Sequence, residues 1–317
     1  MSDEVEPTQI IGAKAGGIVR LRLPATSANV GPGFDTVAVA LDFYLDVEAE
    51  AGEEFSIQVT GRNADRIAEP ADNLIFNVYR RILEENGRTV VPLALRMKNG
   101  IPLGMGCGSS AAGRLAGIIL AVDFGRLGWS DQRILEEATT LEGHPDNAAA
   151  CWLGGFVAAA CEGRTVHVAR VIPPANWRVI VVMPSVPLPT SQARAVLPQS
   201  YSREDVVANL QSVSMLGLAF AQGRGDLLRV AMRDRVHQPY RAPICAYLPR
   251  LLPLAGTEGI LGAALSGAGS AVLTIVEADA MESATRAIRG ALEDMPEAEL
   301  IYAGFEGRGV RELSPLL

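Results

Sequence analysis

The chain has 317 residues, room for two ordinary domains, and its 49% hydrophobic to 20% charged composition belongs to a protein that buries a core rather than one that stays disordered. A net charge of −8 excludes a chain-wide basic surface for nucleic acid or anionic lipid, so any phosphate must be held by local devices: backbone amides, a metal ion or a few arginines. The four cysteines, Cys107, Cys151, Cys161 and Cys245, have no CxxC spacing, which argues against a zinc site or a disulfide framework.

In chain order, "MSDEVEPTQIIGAKAGG" is acidic, lacks a basic region leading into an apolar one, and reads as a loose tail over residues 1–17. No apolar run approaches the roughly 20 residues that span a bilayer, so a soluble, cytoplasmic protein is expected. "IVRLRL", "FYLDVEAE" and "FSIQVTG" read as strands. Asp72 is the expected cap of a helix whose apolar face carries Leu74, Ile75, Val78, Ile82 and Leu83. "VPLALRM" returns to strand, and the glycine-rich "PLGMGCGSSAAG" then opens a helix through Leu115, Ile118, Ile119 and Val122. Ser130 is the expected cap of the next helix, with Gly143 closing it.

The composition shifts at "PPANW", residues 173–177, the best candidate boundary between an N-terminal domain over 18–173 and a C-terminal one over 174–317. Beyond it come a strand at "RVIVVMP", helical patterns over 202–222 and 226–235, strands at "GILGAAL" and "AVLTIVEAD", a helix over 280–292 and a last strand near "LIYAGFEG". Mixed order without regular βα alternation points to α+β rather than a doubly wound sheet.

Glycine allows positive φ and close backbone approach, and the amides at a helix N-terminus point outward with partial positive charge. Gly104, Gly106 and Gly108 ahead of a helix therefore suit an anion, with Ser109 and Ser110 adding hydroxyls. The loop lacks the Lys-Ser/Thr ending of a Walker motif and the spacing of a dinucleotide fingerprint. Taken alone it is equally well a glycine-rich turn with a serine cap. Three further stretches of glycine and small polar residues change that balance: "LPATSANVGPGFD" at 23–35, "EGHPDNAAACWLGG" at 142–155 and "GAALSGAGSAVL" at 262–273.

Together these four stretches resemble the GHMP kinases (galactokinase, homoserine kinase, mevalonate kinase, phosphomevalonate kinase), over nearly the whole chain from residue 18. Within that superfamily "PATSANVGPGFD" and "EGHPDN" are most similar to the homoserine kinases. The resemblance implies an α+β, two-domain GHMP kinase fold, with an N-terminal ribosomal protein S5 domain 2-like domain and a C-terminal ferredoxin-like domain. It also implies ATP-dependent phosphorylation of L-homoserine with Mg²⁺, and it allows a homodimer. Met105, Cys107, Ser270 and Ala271 depart from the usual residues and are expected to flank the nucleotide.

On this resemblance the phosphates belong to Pro102, Leu103, Gly104, Met105, Gly106, Cys107, Gly108, Ser109, Ser110, Ala111 and Ala112, with Ser266, Gly267 and Gly269 from the third family motif. Mg²⁺ would be held by Ser110 and Glu136, a hard cation taking one or two protein oxygens beside phosphate oxygens. The acceptor is a zwitterion with a free hydroxyl. Arg194 and Arg241 match the family's carboxylate receptors, Thr190 supports Arg194, and Asn29, Asp35, His144 and Asn147 complete the wall. Asn147 and Asp35 are the candidates for orienting the hydroxyl. His167 and His237 receive no role. The alternatives left open are another small-alcohol kinase of the same superfamily, of mevalonate or shikimate type, and a non-catalytic nucleotide- or metabolite-binding module.

Overall fold

The computed structural model describes residues 17–314, so the tail expected over 1–17 lies, but for Gly17, outside the described residues. Strands β1 (Val19–Asn29), β2 (Gly33–Ala51), β3 (Ser56–Gly61), β4 (Leu93–Asn99), β5 (Phe156–Glu162) and β6 (Thr165–Val171) form one sheet of order β3-β4-β2-β5-β6, with β1 paired to β2 off that path. Its pairings are antiparallel except β3 with β4. The alternation in "VRLRL" is realised: Val19, Leu21 and Leu23 are buried, while Arg20 and Arg22 face outward and meet their cross-strand partners Glu48 and Asp46 at 2.8 and 2.7 Å.

Helices α1 (Ala64–Ile67), α2 (Leu74–Glu85), α3 (Ser109–Phe124), α4 (Asp131–Glu142) and α5 (Asp146–Leu153) belong to this half. The cap of α2 is Asn73 rather than the expected Asp72: Asn73 Oδ1 accepts from the amides of Ile75 and Phe76. Ser130 and Gly143 end α4 as the sequence implies. Helix α3 is buried from Ala111 to Val122 except at Arg114, which is why its small and apolar residues show almost no polar face.

The second sheet contains β7 (Trp177–Met183), β8 (Ile260–Leu265), β9 (Val272–Glu277) and β10 (Glu299–Ala303) in the order β10-β7-β9-β8, all antiparallel. Counted along the chain this is fourth-first-third-second, the ferredoxin-like arrangement. Around it lie α6 (Thr190–Ala195), α7 (Arg203–Gln222), α8 (Gly225–Ala231), α9 (Gln238–Arg241), α10 (Leu248–Leu251) and α11 (Met281–Ala291), while α12 (Val310–Leu313) packs on β1 and α5 of the first half. The run "VIVV" in β7 is apolar throughout because both faces are covered. Val179 and Val181 join a core shared with the first sheet, and Ile180 and Val182 join a second core with Leu248 and Ile288. Phe220 of α7 stacks on Phe156 at 4.1 Å and meets Trp177 edge-on at 5.3 Å, tying both sheets to one helix.

The last segment returns to the first sheet. Phe305 bridges Leu41, the Glu306 amide donates to the Ala40 carbonyl at 3.0 Å, and the Glu306 carbonyl accepts from Gly155 N at 2.7 Å. The buried Glu306 carboxylate takes hydrogen bonds from Tyr44 Oη at 2.6 Å and from the Arg308 amide at 2.9 Å. Burial alone would raise its pKa; those donors outweigh burial and hold it below the ordinary 4.5. A depressed carboxylate stabilises the fold above its unfolded pKa and loses that contribution as pH falls through the folded value. Glu306→Gln is therefore expected to lower stability by about 1 kcal/mol at pH 7. In urea melts the gap to the parent should close below pH 4.5; a gap that persists there refutes the assignment.

Candidate active site

The "LPATSANVGPGFD" stretch is a long hairpin: its first half is the end of β1, its second half the start of β2, and the chain reverses at Val30–Pro32. Asn29, Val30 and Asp35 all adopt positive φ, of 71°, 46° and 55°. Such strain in side-chain-bearing residues persists only where surrounding contacts hold it, and it collects at functional sites.

Those contacts come from the other three motifs. Asn29 Nδ2 donates to the Gly267 carbonyl at 2.8 Å while its Oδ1 accepts from Asp35 N at 3.1 Å. Ser266 Oγ donates to the Gly106 carbonyl at 2.8 Å and lies 2.8 Å from Ser27 Oγ, and the Thr26 amide donates to the Cys107 carbonyl at 3.1 Å. Thr26 Oγ1 donates to Asn147 Oδ1 at 2.6 Å. A Cβ at Gly106 would overlap the Ser266 carbonyl, and one at Gly108 the Thr26 hydroxyl. The glycines are thus required by the protein's own backbone crossings as well as by room for an anion.

The result is a cleft of about 440 Å³. It is lined by Gly104, Gly106, Gly108, Ser109, Ser110 and Ala111 from the glycine loop and the start of α3, and by Gly267 and Gly269 opposite. Asn29, Asp35, His144, Asn147, Thr190, Arg194 and Arg241, all named from the sequence for the acceptor, line the same cleft. A second cavity of about 280 Å³ opens beside the loop, with Ile67, Leu74, Met97, Ile101 and Leu103 as apolar walls, and it shares Ser109 and Ser110 with the cleft. It has the size and character for a flat heteroaromatic ring.

Several expected residues stand behind this surface rather than on it. Pro102, Cys107, Ala112 and Ser266 are buried. Cys107 packs in the core, where burial pushes its thiol up to about 12, so it does not flank a nucleotide as expected. Met105 packs against the same core, its carbonyl accepting from the Ala271 amide at 3.2 Å. Thr190 and Arg194 lie one turn apart on α6 without a mutual hydrogen bond among the described residues. Arg194 instead makes a two-pronged ion pair with Asp35, at 2.7 and 3.0 Å.

Glu136 is the clear correction. It accepts from Gln132 Nε2 at 2.9 Å, and that amide also reaches the Val166 carbonyl of β6, on a face of α4 away from the cleft. The carboxylate beside Ser110 is Glu142, at the end of the same helix. The Arg114 guanidinium bridges Ser110 Oγ and Glu142 Oε1. Six residues, nearly two turns of α4, separate the expected acid from the observed one.

The charge pattern is organised by side. His144 Nδ1 lies 2.6 Å from the buried Asp146 Oδ1. Burial opposes protonation of this histidine, but the Asp146 bond and charge, with Asp35 and Glu142, outweigh it and raise its pKa above 6.5. Arg194 is raised by its hydrogen bond to Asp35. Burial, and then the nearby Arg194 charge, hold Arg241, 1% exposed, below the usual guanidinium range, yet it keeps its proton at neutral pH. Asn147 has its Oδ1 committed to Thr26, which leaves its amide NH₂ as the donor available to a ligand.

Sequence reasoning missed Glu142, Arg114, Asp146, Phe34 and the ring cavity. Glu142, Asp146 and Phe34 sit inside the quoted motifs, and Arg114 lies one helical turn after Ser110, so spacing from Ser110 and membership of "EGHPDN" were the usable signals.

The GHMP kinases N terminal domain model matches residues 73–155, and the GHMP kinases C terminal model matches residues 218–294. The homoserine kinase of Solibacter usitatus is 43% identical, covering 81% of this chain and 84% of its own length; that of Carboxydothermus hydrogenoformans is 35% identical over 93% and 97%. The crystal structure of homoserine kinase from Cytophaga hutchinsonii superimposes with a TM-score of 0.79 at 24% identity, covering 94% of this chain and 98% of its own. L. major mevalonate kinase has the same fold at a TM-score of 0.69 and 16% identity, covering 94% and 99%. With both family models matched and relatives this similar along most of its length, the chain belongs to the GHMP kinase family of ATP-dependent kinases that act on an alcohol group.

Proposed function

We propose that the chain transfers the γ-phosphoryl group of ATP to the side-chain hydroxyl of L-homoserine, giving ADP and O-phospho-L-homoserine. The observation that carries this reading is the Asp35–Arg194 pair in the cleft wall, with the buried Arg241, which makes no ion pair among the described residues, behind it. An amino acid brings both charges of such a pair. Its ammonium replaces Arg194 at Asp35, its carboxylate replaces Asp35 at Arg194, and Arg241 supplies a second cation to the carboxylate. An acceptor with only one of those charges would leave part of the pair unmatched. The names of the sequence relatives support the same acceptor.

The nucleotide's base would occupy the 280 Å³ cavity and its phosphates the amides from Gly104 to Ser110, at the positive end of α3. For Mg²⁺ the fitting residues are Ser110 and Glu142. One guanidinium already lies between their oxygens, which marks the spot as a cation position, and both donors are hard oxygens. Bound there, the ion would neutralise charge on the phosphates.

In the transfer, the acceptor oxygen forms a bond to the γ-phosphorus, the bond from that phosphorus to the β–γ bridging oxygen breaks, and ADP leaves. The hydroxyl proton departs to a transferred phosphoryl oxygen. Asn147 NH₂ and Asp35 hold the acceptor in line, and the loop amides stabilise the charge; the chemistry asked of the protein is positioning and electrostatics.

ADP release should be stimulated by L-homoserine and not by mevalonate, shikimate or galactose; a preference for any of those, or no stimulation, rejects the reading. Arg194→Ala is expected to raise KM for homoserine about 30-fold or more while KM for ATP stays unchanged. Glu142→Gln should lower kcat on the order of 100-fold, and Glu136→Gln should leave it near the parent value. The reverse ranking would restore Glu136 as the ion's ligand.

A further inference from the structure

Arg241 is a buried cation without an anion. Its side chain makes no ion pair among the described residues, although it lines the cleft. Nε donates to the Ala193 carbonyl at 3.0 Å, and Nη1 donates to His237 Nδ1 at 3.1 Å and, less well, to the Gly267 carbonyl at 3.3 Å. Nη2 makes no hydrogen bond among the described residues, so both of its N–H groups remain for a ligand.

His237 is wholly buried and its two ring nitrogens are spoken for in opposite senses. Nε2 lies 2.7 Å from the Gly31 carbonyl and must carry the proton to donate there; Nδ1, facing a guanidinium, must be the acceptor. The ring is therefore the neutral Nε2–H tautomer. Asp234 fixes the backbone beneath it, accepting from the amides of Val236, His237 and Gln238 at 2.9, 2.9 and 2.6 Å. Phe34 stacks on the His237 ring at 5.3 Å. Its centroid also lies 5.4 Å from the Arg241 guanidinium and 5.5 Å from that of Arg194, so one ring contacts both cations.

Gly31 belongs to the hairpin turn that carries Asp35, and Arg241 belongs to α9. His237 thus connects the ammonium side of the acceptor pocket to its carboxylate side through one ring. We infer that His237 is a positioning residue that holds Arg241 with Nη2 turned toward the acceptor's carboxylate, at a fixed distance from the Asp35 hairpin. This deepens the homoserine reading and, for its kinetic part, rests on it.

Two variants of the full chain separate this role from mere packing. His237→Gln keeps an N–H for Gly31 and an oxygen for Arg241, whereas His237→Leu fills the space with neither. Kinetics are compared on L-homoserine and on 3-aminopropan-1-ol, the same alcohol without the carboxylate. His237→Leu is expected to raise KM for homoserine between about 10- and 100-fold. It should leave KM for ATP unchanged and cost the amino alcohol, which still uses the Asp35 hairpin that His237 holds, several-fold less than homoserine, and His237→Gln should restore most of the loss. Equal losses on both acceptors, a shift in KM for ATP, or no change for homoserine would overturn the inference. A readout independent of substrate is the ¹⁵N–H resonance of Arg241 Nη1, the nitrogen that meets His237, identified by its loss in Arg241→Lys. Slow solvent exchange in the parent and in His237→Gln, with fast exchange in His237→Leu, supports the inference, and equal exchange in all three refutes it. If the parent fails to use homoserine, the functional reading falls while this resonance still decides the role of His237.

Discussion

Everything in the cleft depends on backbone approaching backbone where no side chain can fit. At Gly106 the glycine loop meets the Ser266 carbonyl, and at Gly108 it meets the Thr26 hydroxyl; a methyl group at either point would force the motifs apart. Around these crossings run the Ser27–Ser266–Gly106, Thr26–Cys107, Thr26–Asn147 and Asn29–Gly267 hydrogen bonds. The glycine loop, the Asn147 amide and the Asn29–Asp35 hairpin are therefore set by one interlock, and none can shift without its neighbours. That rigidity is what a reaction catalysed by placement requires.

Two kinds of polar side chain share this interlock. Asn29, Ser266 and Asp234 spend their hydrogen bonds inside the protein, holding strained or crossing backbone in place. Asp35, Arg194 and the amide of Asn147 keep capacity for a ligand; the first two satisfy each other meanwhile. A reciprocal ion pair is a sound resting state for a cleft wall that offers both charges, because each neutralises the other and both are released together. The Arg114 bridge between Ser110 and Glu142 has the same logic at the other end of the cleft.

Much of the fold was readable from local pattern. Alternation in β1, the Ser130 and Gly143 ends of α4 and the apolar stripe of α2 each reflect a single element facing a single environment. Where two environments met one element, the pattern blurred. β7 is apolar on both faces because it divides two cores, and α3 has almost no polar side because it is nearly surrounded. The Asp72 and Asn73 choice turned on which of two adjacent residues pointed its oxygen at the first amides.

Sequence alone determined the family, the α+β class and most of the residues that line the cleft, because the glycine and small-hydroxyl requirements are written locally in each motif. Tertiary structure decided which acid accompanies Ser110, that Cys107 and Ser266 serve the scaffold, and that His237 grips Arg241. Those outcomes depend on the direction a side chain leaves its helix or strand and on what packs opposite it, 28 residues away for Arg114 and Glu142 and 160 for Ser266 and Gly106. Direction and distance across the chain are properties of the packed core, and no single stretch contains them.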